Sequence, residues 1–214
     1  MEPMTAPSPP AGDAERARTD RDRLLAEKSL DRLAAFSDAV VAIAITLIML
    51  PLVDRAMEAE DVGEYLTSSV PAFASAALTF FIIAVLWRSH HVRLVHATAL
   101  TPMAMRLEMV WLATIVFLPV ATVFDVIDSG GQSVGIAIYV GTLLLSRIVA
   151  RLQHNALVRA GLTDLPEEGW VAQWLGSLLL VAVLALVLLI PQVGALWLLI
   201  LLIEPVGRSI LARR

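Results

Sequence analysis

Six long runs of apolar residues are separated by short polar segments along the chain, at 32–53, 67–89, 106–127, 134–156, 170–190 and 193–211. At 1.5 Å per residue, each run is long enough to cross a hydrocarbon core about 30 Å thick. The pattern predicts six membrane helices. The fourth is the least apolar, with Arg147 and Arg151 near its end. The last two are parted only by Pro191, Gln192 and Gly194, which predicts a tight helical hairpin. Residues 1–27 have a different pattern: Pro3, Pro7, Pro9 and Pro10 precede interspersed charges, with no apolar core of a signal peptide. They are expected to form a disordered or partly helical cytosolic tail. Residues 28–211 then form one membrane domain, and 212–214 a short cytosolic C-terminus.

Composition agrees with that division. The 214 residues are 58% hydrophobic and 17% charged, with mean hydropathy +0.77, whereas charged residues make up about a quarter of a soluble protein. An all-α integral membrane protein is the expected fold class. The net charge of −4 says little about partners, because its distribution along the chain matters more. No basic patch suggests nucleic acid. With no cysteine, disulfides, thiolate nucleophiles and cysteine metal sites are excluded.

The basic residues orient the six runs. Of the 16 lysines and arginines, only Arg55 falls outside when both termini are placed in the cytosol, as the enrichment of Lys and Arg in cytoplasmic loops requires. The first outer loop is instead acidic, carrying Asp54, Glu58, Glu60, Asp61 and Glu64. Such a vestibule would concentrate cations, although ordinary solvated loops have the same composition.

The first run carries two unusual polar groups, Asp38 and Thr46. Ionisable or polar side chains in hydrocarbon are costly and by default call for a functional explanation. Ile43, Thr46, Leu47 and Leu50 recur at i, i+3, i+4 and i+7 and so share one stripe. Asp38, five residues before Ile43, is turned about 140° away and faces a neighbouring helix instead. Arg32, six residues before Asp38, is poorly placed for an intrahelical pair with it. The second run ends in Trp87-Arg88-Ser89-His90-His91, and antiparallel packing would bring that end level with Ser37 and Asp38. A cluster of Ser37 and Asp38 with Trp87, His90 or His91 would satisfy these polar atoms and pin the first helix.

The segment Arg32-Leu-Ala-Ala-Phe36-Ser37-Asp38 matches the Arg-x-x-x-Phe-Ser-Asp signature of the transmembrane protein 175 family of potassium channels. The following Ala-Val-Val-Ala-Ile-Ala-Ile-Thr-Leu also resembles that family's first helix. The resemblance implies a homotetramer of six-helix subunits in the single-repeat, prokaryotic form, with the first helices lining a central pore. Carried onto this sequence, it implies a constriction or gate at Ile43, Leu47 and Leu50, and an ion-selecting hydroxyl layer at Thr46. Arg32, Phe36, Ser37 and Asp38, with Trp87, His90 and His91, would be the supporting network. Pro51 departs from the family, in which many prokaryotic relatives place an acidic residue.

The expected partners are potassium ions, the lipid bilayer of the cell membrane and further copies of the chain, with no cofactor and no bound metal beyond permeating potassium. The resemblance is compatible with weak selectivity and with proton permeation. No Thr-Val-Gly-Tyr-Gly loop is present, so a filter would be made by side chains. The runner-up is a proton- or cation-coupled transporter using Asp38, Glu204 and the histidines. Catalysis is not expected, since Gly131-Gln-Ser-Val-Gly135 lies between membrane helices rather than after a strand. His90, His91, His96 and His154 lack the i, i+4 spacing of a helical metal site, and Glu204 can pair with Arg208 at i+4.

Overall fold

Prolines, a glycine and short polar side chains set the helix ends. In the computed structural model, which describes residues 11–127, 134–165 and 170–189, they divide the chain into α1 (Ala11–Leu47), α2 (Leu50–Glu58), α3 (Val62–Ser68), α4 (Val70–Val95), α5 (Pro102–Ile127), α6 (Val134–Arg159) and α7 (Trp170–Leu189). From Ala11, α1 runs for 37 residues. The segment 11–27 is helical. Its Ala, Glu, Arg and Leu residues are strong helix formers, and the Thr19 hydroxyl donates to the Glu15 carbonyl at 3.1 Å.

The expected single helix over 32–53 is interrupted at Ile48-Met49. Pro51 has no N–H to offer the carbonyl four residues earlier, and the chain tightens there, with Met49 N–H donating to the Thr46 carbonyl at 3.1 Å. Pro51 then occupies the first turn of α2, where a missing donor is tolerated. Asp61 caps α3 through its carboxylate, which accepts from Glu64 N–H at 2.8 Å. Thr101 caps α5 by accepting from Ala104 N–H at 3.0 Å. At the end of α6, Gly161 takes φ +66°, and Leu162 N–H returns to the Leu157 carbonyl at 3.0 Å, closing the helix as left-handed caps do.

Among the described residues, four helical segments are long and apolar enough to span a membrane: Arg18–Glu58, Val70–Val95, Pro102–Phe124 and Val134–Arg159. Helix α7 contributes a shorter apolar stretch, Gly176–Leu186. The expected sixth span at 193–211, its hairpin at Pro191, Gln192 and Gly194, and the Glu204–Arg208 pair lie outside the described residues, as do residues 1–10 of the tail.

Helix α5 is central, packing against α6, α1 and α4, and α6 in turn packs against α7. The core joins Val41 and Ala44 of α1, Ile48 of the turn after it, Ala76 and Ile83 of α4, Trp111, Ile115 and Leu118 of α5, Val140 and Leu143 of α6, and Leu180 and Val183 of α7. Ala72 and Ala76, small enough for close helix approach, are both buried. The loops after α4 and α6 are joined by a bridge between Ala97 and Thr163, with Thr98 N–H to the Leu162 carbonyl at 3.0 Å. Leu30 of α1 packs there with Ala97, Ala104 and Leu157. At the opposite end of α1, Arg55, Glu58, Glu60, Asp61 and Glu64 line a polar hollow of 540 Å³.

Candidate functional site

Helix α1 has one face in the bundle and one outside it. Leu30, Leu33, Ser37, Val41, Ala44 and Ile48 are buried at the three-and-four spacing of a helical seam. Ser37 is its one polar member. On the other side, Ile43 is 61% exposed, Leu50 53% and Leu47 41%, with Thr46 exposed among them. Leu50 lies beyond the tightened turn, at the start of α2, yet stays exposed with the others. The Thr46 hydroxyl donates to the Ile43 carbonyl at 2.8 Å. That bond uses its hydrogen and leaves oxygen lone pairs available to a cation.

The carboxylate of Asp38 faces α4, as helical phase requires. Trp87 Nε1 donates to its Oδ1 at 2.7 Å, and His91 Nδ1 lies 3.5 Å from the same oxygen. The Trp87 and His91 rings stand 5.3 Å apart. This half-exposed cluster is the one expected from antiparallel packing of the first two apolar runs.

Ser37 does not join it. Its hydroxyl donates to Glu108 Oε1 at 2.6 Å, in the interior. The other oxygen, Oε2, accepts from Gln153 Nε2 at 2.6 Å and lies 2.9 Å from His90 Nε2, a close contact without the alignment of a hydrogen bond. Gln153 also donates to the Ala104 carbonyl at 3.3 Å, and the His90 ring meets Trp111 edge-on with centroids 3.7 Å apart. Ser37 and His90 therefore meet through a third group that the sequence reading did not include. Glu108 is fully buried, and the available signal was the one applied to Asp38, a carboxylate within an apolar run.

Arg32 is exposed. Phe36 is half exposed and, with Val40, forms one wall of an apolar groove of 410 Å³ whose other wall is Met109, Leu112, Val116 and Phe117 of α5. Among the described residues, no group of three His, Asp or Glu is gathered to hold a metal ion. Residues 131–133 of the Gly-x-Ser-x-Gly match lie outside the described residues.

The anchor of α1 thus draws on α1, α4, α5 and α6. Residues 32–119 match the family described as "Endosomal/lysosomal potassium channel TMEM175". That stretch is similar to the TMEM175 family. The matched stretch contains the exposed face of α1 and, behind it, Ser37, Asp38, Trp87, His90, His91 and Glu108, whereas Gln153 lies beyond it. No curated protein matches the chain. The match to a potassium-channel family over these residues and the four apolar helices of spanning length among the described residues make this a multi-pass membrane protein.

Proposed function

We propose that the chain is a potassium-preferring cation channel in the cell membrane, formed by four copies whose α1 helices surround a central pore. Each subunit then has six spans with both termini in the cytosol. The observation that carries this reading is the two-sidedness of α1: an apolar face bearing a single hydroxyl is left outside the bundle, while polar bonds hold the opposite side.

Four copies of Ile43 meeting on an axis make a dry collar, backed by Leu47 and Leu50. An ion passes only when the collar widens enough to hydrate, so the gate works by dewetting. Selectivity then requires polar groups that replace part of the hydration shell. The four Thr46 oxygens supply them, favouring the cation that loses water more readily, potassium over sodium. The acidic hollow near Glu58, Asp61 and Glu64 raises cation concentration at the outer mouth.

The test is reconstitution into liposomes with flux measured under opposed potassium and sodium gradients. Potassium flux that needs no proton gradient is the expected result. Flux that saturates steeply and requires a proton gradient would instead establish a coupled transporter, for which the buried Glu108 and His90 would be the working groups. Ile43→Asn should hydrate the collar, raising cation leak and weakening selectivity. Unchanged selectivity in bilayer recordings of that variant would remove Ile43 from the constriction.

A further inference from the structure

Glu108 is buried behind α1, away from the face on which ions would pass. We propose that it is a positioning residue for selectivity: by holding Ser37 it fixes the rotation of α1 and so decides which of that helix's side chains face the pore. The inference rests on the pore reading above.

Apart from Ser37, the buried seam of α1 is Leu, Val, Ala and Ile. Apolar contacts are non-directional, so such a seam resists separation far better than it resists a small twist. A hydrogen bond weakens steeply when its angle is lost, and Ser37 makes the buried polar bond of this seam, at 2.6 Å. Thr46 lies nine residues further on, about half a turn around the helix from Ser37. Whatever direction Ser37 is held in, Thr46 points the opposite way. A second tie, Trp87 to Asp38, acts one residue later and about 100° around. Two ties to different helices, α5 and α4, oppose both twisting and sliding.

The carboxylate is itself immobilised, by Gln153 from α6 and His90 from α4. Its chemistry is specific to this task. A carboxylate can receive donors on both oxygens at once, as it does here from Ser37 and Gln153. A glutamine here would turn an NH₂ group toward either Ser37 or Gln153, both of which donate to this position.

The chain has no cysteine, so single reporters can be introduced without background. Ile43→Cys and Ala42→Cys, one residue and about 100° apart, report the rotation of α1 through their rates of modification by a water-soluble methanethiosulfonate during bilayer recording. With Ser37 and Glu108 intact, the cysteine at 43 should react much faster than that at 42. Adding Ser37→Ala or Glu108→Gln should reduce this preference, together with the potassium-to-sodium permeability ratio, by roughly tenfold, the scale of one lost hydrogen bond to a charged group. Ser37→Thr, which keeps the hydroxyl, should restore both. Ser37→Ala removes a single oxygen, so assembled channel should remain available for measurement. Variants that keep the reaction preference and the permeability ratio, and lose only the yield of assembled channel, would make Glu108 a purely structural residue and overturn the inference. A cysteine at 43 that stays unreactive with Ser37 and Glu108 intact would instead overturn the pore reading itself.

Discussion

Thr79, Thr122 and Tyr139 link α4, α5 and α6 through neutral hydroxyls, with Thr79 Oγ1 at 2.8 Å from Thr122 Oγ1 and 3.1 Å from the Tyr139 hydroxyl. Glu108 links the same three helices with a carboxylate and adds α1 through Ser37. The hydroxyl cluster has local alternatives: Thr122 also donates to its own helix, at the Leu118 carbonyl, 2.9 Å away. The carboxylate has no such fallback. Both of its oxygens accept, and all helical N–H groups beyond the first turn are already engaged. Its partners must come from other helices, because a buried polar group left without them is costly. Hydroxyls can therefore support packing that already exists, whereas the carboxylate ties its surroundings to one arrangement.

That contrast can be broken by substitution. Glu108→Ala should have the largest effect, about 3 kcal/mol or more of lost stability, because it removes the acceptor of two buried donors, Ser37 and Gln153, and leaves a cavity. Thermal unfolding of the purified oligomer in detergent would measure it. Asp38→Ala should come next, costing about 1 kcal/mol by loss of the Trp87 bond at a half-exposed site. It should lower oligomer yield and leave unitary conductance unchanged. A stable, fully assembled Asp38→Ala channel with altered conductance would mean that Asp38 touches the permeating ion instead. Thr79→Val should have the smallest effect, about 0.6 kcal/mol, the average found for single polar contacts between membrane helices. If Thr79→Val proves as damaging as Glu108→Ala, the distinction between the two clusters fails.

Much of the helical plan and one half of the anchor were legible in the sequence. The apolar runs place α4, α5 and α6 closely, because a span needs unbroken hydrophobicity over a fixed length. The pairing of Asp38 with Trp87 and His91 followed from antiparallel packing of neighbouring runs, which brings their polar ends to one level. Glu108 was not found, because a run of hydrophobic residues does not reveal which later helix lies behind α1. Its carboxylate, two residues after Arg106, reads as part of a polar flank. Gln153 was missed for the same reason, being identifiable only once α6 is known to pack on α5. For 11–27 the sequence left helix and disorder both open, because interspersed charges suit a solvated tail while Ala, Arg, Glu and Leu favour helix. Pro51 carried the signal for the break at Ile48-Met49, whose form is a tightened turn rather than a change of direction.

From Ala11 to Leu47, α1 is one unbroken rod, about 55 Å long at 1.5 Å per residue. Its early turns, around Arg21 to Leu25, are exposed to their surroundings, and its far end carries Ile43 and Thr46. A continuous hydrogen-bonded helix has no joint at which torque can be lost. The exposed stem and the narrow end of the helix are therefore mechanically a single shaft, with Glu108 and Trp87 as its bearings.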